Sequence, residues 1–353
     1  MTENPFIFGK IVRGRYFCDR EKEIAQINDL VRSRQHIVII SPRRYGKTSL
    51  VINALDLGKI PYIYLDCSFI EDDRDMIAAI MNDYARKSDN IALLEKFLKR
   101  FDFSFSINLN PVSVTITQVK TDSLKSLITE VGKNYVIVFD EFQDIYGKNR
   151  NLVNRIRSTV QFLERSVVML GSRRHVLDSM FLKPRGIFYN FGYALHLGKI
   201  EKAVFQRFIA HWFRKNNMEI EDEEIEKAVA ISECHPFFTQ YLCHFLFEKR
   251  RTEKIGVDDV LEDILEMNSV FYDETYRSLP LGQKKALHLL SYGRKNVYSA
   301  DFLKKIGITS SQALQKALRS LIKKEIVDKN GEYHILDIFF KRWIYRMVLN
   351  QKG

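Results

Sequence analysis

The chain has 353 residues, of which 46% are hydrophobic and 28% charged, and its 55 Lys+Arg against 44 Asp+Glu give a net charge of +11. This composition excludes a disordered chain, and no run approaches the roughly 18 consecutive apolar residues of a membrane span. The four cysteines form no CxxC pair and the N-terminus has no apolar secretory core, so we expect reduced thiols, a cytoplasmic protein and no membrane association.

The first 200 residues alternate between short apolar runs and helical patterns. The apolar, β-branched runs predict strands buried on both faces, at residues 36–40, 61–65, 135–139, 167–170 and 193–197. Helical patterns lie between them, at residues 47–57, 74–87, 122–132, 151–164 and 174–181. Strands that alternate with helices favour an α/β fold, a five-stranded parallel sheet with helices on both faces.

Residues 101–117 interrupt this alternation. Apolar and polar residues alternate over residues 101–107 and again over 112–116, and Asn110-Pro111 lies between the two runs. A period of two on both sides of a turn predicts a β-hairpin. We expect this hairpin to be an insertion in the sheet domain.

The first predicted strand runs into a loop with the sequence Ser41-Pro42-Arg43-Arg44-Tyr45-Gly46-Lys47-Thr48-Ser49. The loop fits the phosphate-binding pattern GxxxxGK[ST], with Ser41 in place of the first glycine. In such a loop the backbone N–H groups of residues 43–48 surround a phosphate, and the following helix directs its positive end at the anion. Gly46 lets the backbone approach closely, Lys47 would reach the β- and γ-phosphates, and Thr48 would offer its hydroxyl to Mg²⁺. The loop predicts a nucleotide site lined by residues 42–49. The alternative is a chance match in a basic loop.

Two carboxylates, Asp140 and Glu141, follow the third predicted strand. A buried strand that delivers carboxylates at its C-terminal end is typical of the second half of a nucleotide site. Asp140 would hold Mg²⁺, mostly through water, and Glu141 would polarise an attacking water. The alternative is an ordinary helix N-cap, because Asp is common where a strand meets a helix.

The fourth predicted strand ends in Gly171-Ser172-Arg173-Arg174. Ser172 lies where a polar side chain can sense the γ-phosphate between the loop and Glu141. Either Arg173 or Arg174 is a candidate for contacting phosphate, in this chain or in a neighbouring subunit. The alternative is a helix start flanked by surface arginines.

Five segments spread over nearly the whole chain have distinctive sequences. They are Phe17-Cys-Asp-Arg-Glu-Lys-Glu23, the loop of residues 41–50, Val138-Phe-Asp-Glu-Phe-Gln143, His235-Pro-Phe-Phe-Thr-Gln-Tyr-Leu242 and Ile335-Leu-Asp-Ile-Phe-Phe-Lys-Arg-Trp343. Together they resemble the archaeal-type ATPases of the STAND branch of AAA+-related P-loop proteins. The resemblance implies ATP or ADP with Mg²⁺ as ligands. It also implies an AAA+-like P-loop sheet followed by a small helical domain and a winged helix.

The resemblance further implies contacts to the adenine and ribose. Residues 12–20, which include Phe17, would lie along the adenine. His235-Pro236 would open a helix in a domain that closes over the base and reports the nucleotide state. From the residues alone, His235-Pro236 is equally a helix start, because proline suits the first turn. Family members often have an arginine just before the fifth strand, in a Tyr-Gly-Arg run, whereas this chain has Tyr189-Asn190-Phe191 there.

Charge divides the chain into three parts. Residues 1–200 contain 30 basic and 22 acidic residues, residues 201–275 contain 9 and 17, and residues 276–353 contain 16 and 5. The acidic middle part has helical patterns and predicts a small helical domain. The basic last part, with a net charge equal to that of the whole chain, predicts a polyanionic partner or a solvated face.

The basic last part has the pattern of a winged helix. Helical patterns at residues 282–291, 299–305 and 310–323 precede a hairpin signal at Asn330-Gly331. A turn at Gly307 separates the second and third helices, as in a helix-turn-helix. Three helices followed by a hairpin predict the winged helix.

The third helix of this predicted winged helix has polar residues along one side. Ser311, Gln312 and Gln315 would face base edges, and Lys316 and Arg319 would contact phosphates. Double-stranded DNA bound through residues 276–353 is therefore one hypothesis. A protein partner or self-association, or merely a solvated face, are the alternatives.

Two functions fit these observations. The first is a nucleotide-driven molecular switch, a slow Mg-dependent ATPase whose winged helix carries the effector role. The alternative is a replication-initiator-like DNA-binding protein in which bound nucleotide is mainly structural. The predicted domains are residues 1–200 with the hairpin insertion, residues 201–275 and residues 276–353.

Overall fold

The computed structural model describes residues 3–88, 90–120, 122–293 and 310–350. The chain forms two compact units, one of Gly9–Ile200 and the other of Met1–Phe8 together with Glu201–Gly353. The first unit ends at Ile200, and the described residues up to Phe8 belong to the second unit and not to the sheet. The predicted domain bounds stay predictions. No helix within the described ranges is long and apolar enough to cross a membrane.

The first unit is built on a five-stranded parallel sheet. Its strands are β1 (Ile37–Ile40), β2 (Tyr62–Asp66), β5 (Val136–Asp140), β6 (Val167–Gly171) and β7 (Tyr193–His196). They lie in the order β2-β5-β6-β1-β7, and every neighbouring pair is parallel. The predicted α/β fold is confirmed, because each of the five apolar runs forms a strand of one parallel sheet.

Helices cover both faces of this sheet. They are α1 (Glu21–Arg32), α2 (Lys47–Leu57), α3 (Asp73–Arg86), α4 (Ile91–Leu98), α5 (Ser123–Val131), α6 (Gln143–Lys148), α7 (Arg150–Val160) and α8 (Arg174–Leu177), which continues as a π-helical turn over Asp178–Leu182. Alternate strand residues face opposite sides. Ile37 and Ile39 therefore join a core with α1 and α2, and Val38 and Ile40 join a second core with α3, α5 and α7.

A separate hairpin lies over the second of these cores. It consists of β3 (Phe103–Leu109) and β4 (Val112–Val119), which pair antiparallel around Asn110-Pro111. Asn82 of α3 fixes it, because its side-chain amide donates to the Val114 carbonyl at 2.9 Å and its Oδ1 accepts from the Val114 N–H at 2.8 Å. The hairpin is the one expected at residues 101–117.

The second unit begins with a group of helices. They are α9 (Lys202–Lys215), α10 (Asp222–Ile231), α11 (Pro236–Lys249), α12 (Val257–Met267) and α13 (Ser269–Arg277). The start of the chain packs here, because Phe6, 1% exposed, lies with its ring centroid 5.7 Å from that of Phe213 and 5.8 Å from that of Phe247. Asn4 adds hydrogen bonds to the His244 carbonyl at 3.1 Å and to Glu248 at 2.6 Å.

The remainder of the second unit has the elements of a winged helix. They are α14 (Leu281–Ser291), α15 (Ser311–Lys323), the hairpin of β8 (Val327–Asn330) and β9 (Glu332–Ile335), and α16 (Ile338–Asn350). Gly331 turns the hairpin with a φ of 73°, as the Asn-Gly pair predicts. The predicted helix 299–305 and the turn at Gly307 lie outside the described residues.

Helix α16 packs against the helices at the start of this unit. The Phe339 ring lies 5.1 Å from that of Phe238, Lys341 pairs with Glu233 at 2.8 Å, and Arg342 donates to the Ile231 carbonyl at 3.0 Å. Burial lowers the pKa of Arg342. The helical and winged-helix parts thus share one packed core, and the division after residue 275 stays a prediction.

Candidate functional site

The phosphate-type loop lies between β1 and α2, at the carboxyl edge of the sheet. Gly46 has a φ of 82° and directly precedes α2, which begins at Lys47. Arg44 also has a positive φ, 66°. Glycine adopts this backbone region without strain, so Gly46 allows the chain to turn tightly into the helix. The first N–H groups of an α-helix have no partner within the helix, so those of α2 are available to an anion at its N-terminus.

Lys47 is the buried cation of this loop, with 5% of its surface exposed. Its Nζ lies 3.5 Å from the Pro42 carbonyl and 4.0 Å from Oε1 of Glu141. Burial lowers the pKa of Lys47, and the charges of Glu141 and Asp140 oppose that shift. The contacts with Pro42 and Glu141 hold the Lys47 ammonium between the loop and the end of β5. An anion bound there would contact a desolvated positive charge.

Asp140, 4% exposed, lies directly opposite Thr48. One of its carboxylate oxygens, Oδ2, accepts hydrogen bonds from the Thr48 hydroxyl at 2.5 Å and from the Tyr64 hydroxyl at 2.9 Å. Burial raises the pKa of Asp140, and these two hydrogen bonds oppose the rise. Three oxygens, a carboxylate and two hydroxyls, therefore meet at one point, and oxygen ligands suit Mg²⁺.

Glu141 is held by two neighbours beyond the end of β5. Its Oε2 accepts from the Ser172 hydroxyl at 2.7 Å and from the Gln143 side-chain amide at 2.5 Å. Its backbone has a φ of 50°, a left-handed conformation that is uncommon for a non-glycine residue. Gln143, 1% exposed, also lies 3.5 Å from the Ser172 hydroxyl. We call Gln143 and Ser172 the glutamate clamp.

Gly171 forms the wall behind this clamp. A Cβ added there would lie 2.4 Å from Oε1 of Gln143 and 2.6 Å from Cδ2 of Leu177. Among the described residues, that Oε1 has no hydrogen-bond partner. The Gln143 side chain is thus fixed by close packing, and its amide nitrogen makes the polar contacts with Glu141 and Ser172.

Three arginines, Arg43, Arg44 and Arg173, lie at the partly exposed rim of the site. Arg43 and Arg44 are exposed, Pro42 is half-buried and Tyr45 is buried against the core of α1 and α2. Arg173 pairs with Asp144 at 3.4 Å. Burial raises the pKa of Asp144, and the charge of Arg173 opposes the rise. The side chain of Arg174 lies outside the described part of the chain.

Residues 12–20 lie against α2. The Ser49 hydroxyl accepts from the Val12 N–H at 3.0 Å, and Oδ1 of Asn53 accepts from the Gly14 N–H at 2.8 Å. The Asn53 amide donates to the Val12 carbonyl at 2.8 Å, and the Phe17 ring is half-buried against the core of α1 and α2. The segment predicted to line the adenine is thus fixed to the helix that follows the phosphate-type loop.

His235 and Pro236 lie in the second unit, at the start of α11. His235 is 4% exposed and caps the helix, because its Nδ1 accepts from the Phe237 N–H at 3.1 Å. Pro236 occupies the first helical position, where its missing N–H has no cost. This arrangement supplies the local role of a helix start, and a role toward a nucleotide stays a prediction.

The polar face of α15 is exposed. All five predicted DNA-contacting residues lie on the exposed side: Ser311, Gln312, Gln315, Lys316 and Arg319. The opposite side of the helix is buried through Leu314, Ala317, Leu318 and Leu321. Ser310 caps the helix by accepting from the Ala313 N–H at 3.2 Å. The helix is therefore amphipathic: its apolar side packs into the unit and its polar side faces solvent. Contact with DNA stays a prediction.

The motifs assign no role to three residues of the site, although one of them, Gln143, ends a distinctive segment. Tyr64 reaches Asp140 because β2 lies beside β5, which only the strand order reveals. Gln143 lies two residues beyond Glu141, and Asn53 lies on α2 one turn beyond Ser49. Asn53 could have been found from its spacing. It follows Ser49 by four residues, so the two polar side chains must lie on the same face of α2.

The fold and the site together define a P-loop NTPase. Residues 17–237 match a family described as an ATPase domain predominantly from Archaea, and residues 270–346 match a probable winged helix domain. The chain belongs to this family of ATPases. A sequence comparison with curated proteins finds no match.

Solved structures with the same fold cover nearly the whole chain. A Walker-type ATPase of Pyrococcus abyssi has a TM-score of 0.68 and 18% identity over 96% of this chain and 99% of its own. The ORC2 protein of Aeropyrum pernix, solved with ADPNP and ADP, has a TM-score of 0.58 and 13% identity over 99% of this chain and 98% of its own. At these identities the likeness extends to the fold alone.

Proposed function

We propose that this protein binds ATP and hydrolyses it slowly with Mg²⁺, acting as a nucleotide-driven switch. The observation that supports this most strongly is the convergence of four motif residues at the carboxyl edge. Lys47 approaches Glu141 at 4.0 Å, and Thr48 donates to Asp140 at 2.5 Å, although each pair is more than 90 residues apart in sequence. Chance placement of a loop motif would not bring these partners together.

The residues fit the metal as well as the phosphates. Thr48 and Asp140 would hold Mg²⁺, which when bound would neutralise charge on the phosphate oxygens. Lys47 and the N–H groups of the loop up to Ser49 would bind the phosphates. Burial disfavours the charged forms of both Lys47 and Asp140. A bound phosphate would compensate the charge of Lys47, and a bound cation would compensate that of Asp140.

Glu141 would accept a proton from the attacking water, or orient that water. The carboxylate of Glu141 has to be held in place for this task. The glutamate clamp holds Oε2 through two hydrogen bonds, and Oε1 lies 4.0 Å from Nζ of Lys47. Ser172 would in addition sense the γ-phosphate, and Arg173 would contact phosphate from the rim. Gln143 acts as a positioning residue, because it contacts Glu141 and not the phosphates.

The second unit would carry the output of the switch. His235 and Pro236 would respond to bound nucleotide, and Phe17 would line the adenine. The winged helix, with its exposed polar face on α15, would bind double-stranded DNA or a protein partner, or support self-association. No step of this proposal needs a membrane.

The second candidate is a replication-initiator-like DNA-binding protein with mainly structural nucleotide. The exposed face of α15 favours it, since Gln315, Lys316 and Arg319 are oriented to solvent and not used in packing. The ORC2 protein, which shares the fold, was solved with bound nucleotide. In this version Glu141 would contribute little to turnover.

The deciding experiment is steady-state ATP turnover of the Glu141→Gln variant. We expect turnover at least 100-fold below wild type, because the amide cannot accept the proton, while ATP and ADP affinity change little. Asp66→Asn, at the exposed end of the neighbouring strand β2, is the matched control and should turn over like wild type. Equal turnover of wild type and Glu141→Gln would contradict the hydrolytic version and favour the structural one.

A further inference from the structure

The amino edge of the sheet, where its strands begin, is lined with cations. Because all five strands are parallel, the loops that precede them lie along one edge, opposite the phosphate-type loop. The loops before β1, β2, β5 and β6, with the adjoining helix ends, carry five cations: Arg32, Arg34, Lys59, Lys133 and Arg165. We call these five residues the basic edge. In sheet order they follow one another across four neighbouring strands, a width of about 14 Å.

A cavity of about 320 Å³ opens among these loops. It is lined by Val31, Arg32, Arg34, Ile60, Lys133, Val136, Glu164, Arg165 and Ser166. Its apolar walls come from the ends of strands and helices, and four of its nine lining residues are cationic against one acid. The volume is at the lower end of the range for ligand pockets, enough for one base or one small ring system.

The cations of the basic edge are largely uncompensated. Within the described residues, Arg32, Arg34 and Lys59 form no ion pair, and all three are exposed. Lys133 pairs with Glu130 at 2.6 Å, and Arg165 donates to the Lys133 carbonyl at 3.2 Å. Arg34 and Lys59 have left-handed backbones, with φ of 61° and 51°, so each loop turns sharply where its cation stands. An anion could therefore contact Arg32, Arg34 and Lys59 without displacing a carboxylate of the protein.

An exposed aromatic ring completes the feature. Phe162 is 78% exposed and lies in the same loop, residues 161–166, as Glu164 and Arg165. The exposed Phe162 ring is accessible to a ligand and lies three residues before Arg165, and exposed aromatic rings near cations are the arrangement on which the bases of single strands stack. An acidic peptide would use the charges equally well but gives no reason for the bare ring.

We propose that the basic edge and Phe162 form a binding site for single-stranded nucleic acid, separate from the phosphate-type loop and from α15. The sugar-phosphate backbone would follow the cations from Lys59 to Arg34. One base would stack on Phe162 or enter the cavity. Arginine suits this task because its planar group binds phosphate through two hydrogen bonds.

The first test measures how binding depends on salt. A labelled 15-nucleotide single strand is titrated with the full chain, and anisotropy is followed at several salt concentrations. We expect Arg34→Gln/Lys59→Gln to bind about tenfold more weakly and to lower the slope of log affinity against log salt by about 1.4, since each phosphate contact in a single strand contributes about 0.7. Lys96→Gln/Lys125→Gln removes two exposed cations of the same unit elsewhere and should match wild type. Equal losses in both double variants would overturn the site.

The second test isolates stacking from charge. Phe162→Ala should bind the single strand about tenfold more weakly with an unchanged salt slope, and Phe162→Trp should restore affinity. ATP turnover should be unchanged in Arg34→Gln/Lys59→Gln and in both Phe162 variants, because these residues lie in loops at the amino edge of the sheet.

Two outcomes would overturn the proposal in favour of another ligand or site. One is full single-strand affinity in Arg34→Gln/Lys59→Gln combined with loss of binding to poly-glutamate, which would make the basic edge a protein site. The other is single-strand binding that disappears in Lys316→Gln/Arg319→Gln and survives every change at the basic edge, which would place all nucleic-acid binding on α15.

Discussion

The carboxyl edge of the sheet and the polar face of α15 both carry candidate functional charges, but they hold them differently. Lys47 and Asp140 are at most 5% exposed and each has a named partner, whereas Lys316 and Arg319 are exposed. Burying a charge is costly unless partners compensate it, so a buried cluster of charges persists where function requires it. Exposed charges cost little and serve solubility as readily as recognition. The buried charges of the carboxyl edge therefore indicate a functional site, whereas the exposed charges of α15 fit solubility and recognition equally.

The largest effect should come from the buried cation. Lys47→Met removes the charge that would face the phosphates of a bound nucleotide, and we expect nucleotide affinity to fall by roughly 100-fold. Isothermal titration with ADP and ATP measures this loss directly. Arg44→Met removes an exposed cation of the same loop and should cost less than fivefold. Equal losses in the two variants would show that burial does not distinguish functional charges here.

The glutamate clamp should affect turnover more than binding. Gln143→Leu removes one hydrogen bond to the Glu141 carboxylate, and we expect kcat to fall about tenfold with KM nearly unchanged. Ser172→Ala should act similarly, and the double variant should lose less than the product of the two because both act through Glu141.

Gly171→Ala tests the same contact without touching a polar group. The added methyl group would displace the Gln143 side chain, so its kcat should resemble that of Gln143→Leu. A change in KM with normal kcat, in any of these variants, would contradict a positioning role.

The exposed face of α15 should respond through salt dependence. If it binds duplex DNA, Lys316→Gln/Arg319→Gln should lower the slope of log affinity against log salt by about 1.8, since each phosphate contact in a duplex contributes about 0.9. Lys202→Gln/Lys227→Gln, two exposed lysines of the same unit, is the control. An unchanged slope with an unchanged affinity would leave a protein partner as the role of this face.

The smallest effect concerns the stability of the nucleotide-free protein. Burial raises the pKa of Asp140 above its ordinary value of 3.8, so the folded state binds the proton more tightly than the unfolded state. Stability therefore falls as pH rises between the two values, and at pH 7 the ionised carboxylate lowers the free energy of unfolding.

Asp140→Asn should accordingly raise the melting temperature at pH 7 in the absence of nucleotide and Mg²⁺, and the gain should shrink toward pH 4. Scanning calorimetry across that range measures it, with the exposed Asp29→Asn as control. A melting temperature below wild type at pH 7 would mean that the bonds from Thr48 and Tyr64 to the carboxylate outweigh its burial.

The elements that the sequence predicts well are those whose pattern is local. Residues 47–57 form the predicted helix without change, because a glycine before it and an apolar core face define both the start and the register. The helical pattern at 174–181 is interrupted, since only residues 174–177 are α-helical before the π-helical turn. Helix α1 has apolar residues at 24, 27 and 31, a local spacing that indicates a helix.

The contacts that the sequence does not reveal are those between distant segments. The motif pattern indicates Asp140 and Thr48 separately, and their approach follows only when β5 and β1 are placed in one sheet. Tyr64 has no motif, and its contact with Asp140 depends on the position of β2 at the edge of the sheet. The left-handed backbone of Glu141, with a φ of 50°, likewise follows from no local preference of glutamate.

Phe6 precedes the sheet unit in the sequence but packs in the second unit. A fragment that starts at residue 201 would lack the ring that closes its own aromatic core between Phe213 and Phe247, and a fragment that ends at residue 200 would carry that ring exposed. Truncation after residue 200 should therefore yield two poorly soluble pieces. A protease that cuts in the linking loops should leave the N-terminal peptide bound to the second unit, held there by the hydrogen bonds of Asn4.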